Sequence, residues 1–217
     1  RAAVVDATFA TQGGPALADL GATGTPALWM PNPVDPAFDP HRNGRSDPEN
    51  LPVDLLFCGS GTPGEARWQR IGALKKTLSD IRFDIRGMHD VAPVEGVDYL
   101  DLLGQAKAAL AMNREEHPLY ASDRLAQLLG NGVAALIDRA SGYDRYFGPD
   151  EEAVFYRDLD DLAEAVRRLA RDDVHRRRVA EGGYRKAHRL FAAHLVAGYL
   201  VDATLDPTTT PPWEKAA

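Results

Sequence analysis

Residues Tyr120 to Asp138, YASDRLAQLLGNGVAALID, hold the densest chemistry in the chain. Arg124 follows Ser122 and Asp123 at what reads as a helix start, and Gln127 lies about one turn further on. A guanidinium donates two parallel hydrogen bonds, which suits a phosphate. A helix start adds orphan backbone N–H groups and the positive end of the dipole. Ser122 is a candidate N-cap, its hydroxyl placed to accept one of those N–H groups. Leu125, Leu128 and Leu129 recur at helical spacing, and Asn131-Gly132 reads as a tight turn before a buried strand. Two readings stay open on these residues: a cradle for a diphosphate and a ribose, or an amphipathic helix carrying a solvated arginine.

Other loops carry weaker signals. In GSGTPGE, Gly59, Ser60 and Gly61 allow close backbone approach to a ligand, or simply make a tight strand-to-helix turn. The spacing fits neither a Walker loop nor the dinucleotide fingerprint. Arg67 and Arg70 follow on the next helix, where one could reach a phosphate or both could face water. Asn113, Arg114, Glu115, Glu116 and His117 crowd the end of an apolar strand, where packing explains polar residues poorly. His117 can titrate near neutrality, although a lone loop histidine is more often a surface residue. DRASGYDRYFG, from Asp138 to Gly148, either touches a transferred group or uses Tyr146 and Phe147 to lock its loop onto the core. Met88-His89, after another strand, can flank a base. The six histidines are scattered without HxxxH or CxxC spacing, so no metal is expected. Arg176 to Arg178 read as a solvated helix face.

The elements that must position these loops alternate. VDLLFCG, IRFDIRG, AALAMN, VAALID and AVFY read as strands, separated by helices near Pro63, from Tyr99 to Gln105 and after Ser122. Such alternation predicts an α/β fold, a doubly wound and mostly parallel sheet. Its ligands belong at the C-terminal ends of the strands, where these loops lie. A partial β-α-β unit precedes it: an apolar run over residues 2–5, a helix from Pro15 to Leu20 and a run from Ala27 to Met30. Between them, residues 31–52 contain six prolines in 22 residues and read as an extended linker. After residue 158, two helices run to about Phe191, with Asp158 as the first N-cap. The tail TLDPTTTPPW reads as loose.

Composition sets outer bounds. With 217 residues, 44% of them hydrophobic, the chain can bury one good core or two small ones. A formal charge of −7 argues against nucleic acid as the main partner. The single cysteine, Cys58, permits no intrachain disulfide and fits a reducing, cytoplasmic compartment. No apolar run reaches membrane-spanning length. The chain starts at Arg1, so a fragment lacking its N-terminal part is expected.

WMPNPVDP at 29–36, FCGSG at 57–61, SDRLAQLLGNGVAALID at 122–138 and the strand and helix of residues 151–173 together resemble the C-terminal half of GT-B glycosyltransferases. The likeness is nearest to their spore-maturation-like group. It implies a remnant of an acceptor domain at 1–31, a linker at 32–52, a nucleotide-sugar donor domain at 53–195 and a C-terminal helix and tail at 196–217. It implies a metal-independent sugar transfer from a nucleoside-diphosphate sugar, without a further cofactor, to an unknown glycan, lipid or protein acceptor. Gly59, Ser60 and Gly61 would line the phosphate side, Met88 and His89 would lie near the nucleobase, and Asn113 would join the same site. Ser122, Asp123 and Arg124 would meet the diphosphate and Gln127 the ribose. Arg124 or Arg114 would stabilise the departing nucleotide. Gln127 stands where the family usually has glutamate, and the paired-glutamate pattern of many retaining members is absent. A non-catalytic module and a nucleotide-sugar epimerase are the alternatives. The missing N-terminal half would supply the acceptor side, so this chain alone should not turn over.

Overall fold

The computed structural model describes residues 6–215 apart from 23, 116 and 121. The apolar run expected at 2–5 and the loop residue Glu116 lie outside the described residues. Five short apolar segments form one wholly parallel sheet: β3 (Val53–Cys58), β4 (Phe83–Arg86), β5 (Ala106–Ala111), β6 (Ala134–Asp138) and β7 (Val154–Tyr156), in the order β4-β3-β5-β6-β7. A smaller parallel pair, β1 (Thr8–Ala10) and β2 (Ala27–Trp29), is connected by α1 (Pro15–Gly21). β5 and β6 are buried along their whole length, as strands covered on both faces must be.

Helices close both faces. On one side α2 (Ala66–Thr77) and α5 (Leu159–Arg171) bring Ile71, Leu74, Leu162 and Val166 onto Leu55, Phe57 and Leu110. On the other, α3 (Gly96–Leu103), α4 (Asp123–Gly130) and α6 (Asp173–Leu190) deliver Leu103, Leu125, Leu128 and Leu190. Asp158 caps α5 by accepting the Asp161 N–H, and Asp172 caps α6 by accepting that of His175. The strand order reverses direction between β3 and β5, which places the switch point beside Cys58 and Met112.

Several local expectations need correction. α2 begins at Ala66, three residues after Pro63, because Thr62 to Glu65 form a turn closed by the Glu65 N–H on the Thr62 carbonyl. Ser122 has the extended N-cap backbone, but its side chain makes no capping bond. Arg176 is fully buried, not solvated: it donates to the Asn43 carbonyl at 2.9 Å and the Ser46 carbonyl at 3.0 Å, while pairing with Asp173. The tail is docked. After α7 (Ala193–Leu205), α8 (Pro212–Lys215) inserts a fully buried Trp213 among Tyr199, Trp29 and Phe191.

Residues 31–52 form no α-helix or sheet strand, only two single 3-10 turns at Asn43–Arg45 and Pro48–Asn50, yet they are fastened to the sheet body. Asn43 is buried and its amide donates to the carbonyls of Leu103 and Ala106 at 2.7 and 2.8 Å. Asp39 accepts from the Asn131 amide at 3.0 Å. Proline removes backbone donors, so side chains share the fastening with a few backbone bonds, such as those of Val34 with Phe191 and Ala193 and of Asn43 with Asn131.

Candidate functional site

The site is built at the sheet's switch point by the first turn of α4. Helical side chains lean toward the N-terminus, so a long residue in the first turn reaches past the helix end. Arg124 does this and lands on the strand ends. Its Nε donates to the Cys58 carbonyl at 2.7 Å and its Nη1 to the Met112 carbonyl at 3.0 Å. One guanidinium thus ties the outgoing ends of β3 and β5, with the Phe57 ring 5.3 Å beneath it. Its Nη2 lies against Gly59, where an added Cβ would come within 2.9 Å. Glycine at 59 is therefore what makes room for the arginine.

Two more cations join it. Arg67, from α2, is buried and donates to the carbonyls of Met112, at 3.3 Å, and Ser60. Burial, then the positive fields of Arg124 and Arg114, pull its pKa down to about 10. It stays charged at neutral pH in an environment that disfavours the charge. Arg114 reaches in from the loop after β5, donating to the Ser60 hydroxyl at 3.1 Å and lying 3.8 Å from Glu65. Arg67, Arg114 and Arg124 line one cavity of about 420 Å³ with Gln12, Asn113, His117 and Ser122, and with the carboxylates of Glu115 and Asp123. An anion placed there relieves the arginines' mutual repulsion.

Asp123 qualifies the helix-start argument. Its Oδ1 accepts the Arg124 backbone N–H at 2.9 Å, so that donor is already used by the chain's own carboxylate. The arginine side chains, more than the helix end, make this site attractive to an anion.

A second cavity, of about 370 Å³, shares Asp123 and Arg124 with the first. Gly59, Ser60 and Gln127 line it, facing Gly87, the turn from Pro93 to Glu95 and the first turn of α3. Gly87 has φ 83°, and a Cβ there would lie 2.9 Å from the Gly59 carbonyl, so only glycine lets the two loops touch. Tyr99 is deeply set in this wall, and burial raises its hydroxyl pKa. Both cavities have the size of small-molecule sites, and their polar lining suits a polar, charged ligand.

The fold thus gathers Gly59, Ser60, Asn113, Arg114, Ser122, Asp123, Arg124 and Gln127 around two adjoining cavities. Gly61, Met88 and His89 line neither. Met88 is buried and packs on Gly61, while the His89 ring lies 4.1 Å from the Trp68 ring of α2, tilted by 33°. Sequence reasoning left Arg67 open between phosphate and solvent and missed Tyr99. The signals for Tyr99 were Pro93 and Gly96, which break the chain just before it. Tyr143, Tyr146 and Phe147 are buried, and Trp29 stacks on Tyr146 at 5.6 Å, so these aromatics lock their loop to the core. His117 is partly exposed and lies 3.4 Å from Glu115. Among the described residues, no three of His, Cys, Asp or Glu converge as metal ligands, and no helix is long and apolar enough to cross a membrane.

A family described as glycosyl transferase-like has a sequence model that matches residues 57–201. No curated protein matches the chain. Solved structures match it at low identity. An alpha-glucosyltransferase in complex with UDP and a 13-mer DNA containing a HMU base superposes with TM-score 0.67 at 10% identity, over 93% of this chain and 65% of that one. A glycosyltransferase from Rickettsia africae gives TM-score 0.67 at 8% identity, over 94% and 64%. The sucrose-phosphate synthase of Thermosynechococcus elongatus gives 0.59 at 15%, over 94% and 59%. The chain therefore spans about three fifths of each of these longer chains, and the likeness is one of fold.

Proposed function

Since the chain belongs to the glycosyl transferase-like family whose model covers residues 57–201, we propose that it binds the nucleoside-diphosphate-sugar donor of a sugar transferase, within the spore-maturation-like group. The observation that carries this reading is the convergence of Arg67, Arg114 and Arg124 on one cavity wall at the switch point. The diphosphate takes the three guanidiniums and Ser60. The nucleoside takes the adjoining cavity, with Gln127 meeting the ribose, and Pro93 to Gly96 with Tyr99 enclosing the base where Met88 and His89 were expected. Both cavities meet at Asp123 and Arg124, as a nucleotide bridging them requires.

Catalysis in this reading is electrostatic. As the sugar departs, negative charge grows on the terminal phosphate, and preorganised cations stabilise it without reorganising. Arg124 is held by two carbonyls and Arg67 by burial, so neither has to move. Arg114, more exposed, closes on the leaving group. Two fixed positive charges and one that closes allow the step to run without a metal ion. A cytoplasmic location, where nucleotide sugars are made, completes the proposal. Transfer itself is assigned to the longer architecture that the structural neighbours share, which would supply the acceptor side.

Calorimetry with a panel of nucleoside diphosphates tests the donor assignment. One base should bind, and Arg114→Ala should weaken it. A folded protein that binds no member of the panel refutes the reading.

A further inference from the structure

A third cavity, of about 340 Å³, lies on the flank of α4 and shares Asp123 and Gln127 with the nucleoside cavity. Its other walls come from the proline-rich segment and from Ala126 and Ala193. Phe38 forms one edge and is 76% exposed, although the turn that carries it is rigid. Asp35 Oδ1 accepts the Ala37 N–H at 2.9 Å, and the Phe38 N–H closes the turn on the Asp35 carbonyl at 2.9 Å. Asp39 Oδ2 accepts the Asp35 N–H, and its Oδ1 anchors the turn to Asn131. A fixed, solvent-facing aromatic ring leaves most of its apolar surface unburied. Packing within the described chain does not account for it.

The chemistry of the walls names an occupant. A pyranose presents an apolar C–H face that stacks on an aromatic ring and a rim of hydroxyls that bond to carboxylates and amides. Phe38 supplies the ring, and Asp35, Asp123 and Gln127 supply the rim. No lysine or arginine lines the cavity, while three aspartates do. A sugar carrying carboxylate or phosphate is therefore repelled. We propose that this cavity is a subsite for a neutral pyranose unit of a glycan, stacked on Phe38 and bordered by Asp123 and Gln127. This sugar-binding role does not rest on the donor reading above.

Saturation-transfer NMR on the full chain, with neutral gluco-, galacto- and manno-oligosaccharides beside a uronic-acid oligosaccharide, tests it. One neutral series should bind. Phe38→Ala should weaken that binding about tenfold, as loss of aromatic stacking does. Ala126→Leu, which fills the cavity and keeps the ring, should do the same. Nucleoside-diphosphate affinity should not change in Phe38→Ala. The proposal is overturned if no neutral saccharide binds, if both variants bind as wild type, or if the uronic-acid ligand binds best. Nucleotide binding without any saccharide binding defeats the subsite and leaves the donor reading intact. Phe38-dependent saccharide binding without nucleotide binding defeats the donor reading and leaves the subsite.

Discussion

Replacing Arg124 by alanine should weaken both the fold and the ligand, by amounts the geometry sets. The substitution removes bonds of 2.7 Å to Cys58 and 3.0 Å to Met112. A hydrogen bond from a charged donor contributes about 1.5–3 kcal/mol. Met112 keeps its bond from Arg67 at 3.3 Å, and removing one cation relieves the repulsion felt by Arg67. The net loss should fall near 2–3 kcal/mol, roughly a 6 °C drop in Tm for a chain of this size. Loss of the Nη2 contact to a diphosphate should cost about a further 1.5–3 kcal/mol in binding, roughly 10- to 100-fold in Kd. Arg114→Ala separates the two effects. Its side chain is 57% exposed and, among the described residues, bonds to Ser60 and pairs with Glu65, so Tm should move by about 1 °C while Kd rises about fivefold. Differential scanning calorimetry and titration calorimetry on the same samples read both quantities. An Arg124→Ala protein that melts with the wild type, or one that binds the nucleotide equally well, would refute the clamp and the phosphate role respectively.

Other substitutions test the frame. Burial alone would raise the Asp54 pKa, but hydrogen bonds from Arg82 and Lys107 overcome it and hold the carboxylate at about 2. Its contribution, about 2 kcal/mol, is present above the unfolded value near pH 4 and lost as pH falls through about 2. The stability gap between wild type and Asp54→Asn in urea should therefore be full at pH 6 and shrink below pH 4; a gap that persists at pH 2 would contradict the assignment. Trp213→Ala removes a fully buried ring set 4.9 Å from Tyr199, and urea unfolding should show a loss of about 3–5 kcal/mol. A loose tail would show none. Asn43→Ala strands two buried carbonyls and should cost about 2–4 kcal/mol in the same assay; an unchanged midpoint would mean the 31–52 segment does not fasten the sheet.

The sequence by itself determined the sheet. Val53–Cys58, Ala106–Ala111 and Ala134–Asp138 are short apolar runs between turn residues, and only a strand covered on both faces tolerates them. It also determined the loops that ligands would meet, because in such sheets polar residues at the strands' outgoing ends cluster in space whatever their separation along the chain. Asp158 and the leucines of α4 were legible for the same reason: capping and helical periodicity are local. What tertiary structure alone decided were the partners of long side chains. Arg67, Arg124 and Arg176 look alike in the sequence, as basic residues on amphipathic helices. One is desolvated beside two other cations, one clamps two strands 66 and 12 residues away, and one is sunk against Asn43 and Ser46. Trp213 and Asn43 sat in segments whose composition suggested looseness, yet each finds its contacts far away along the chain. Burial and hydrogen-bond partners depend on which elements the fold brings together, and no local pattern encodes that.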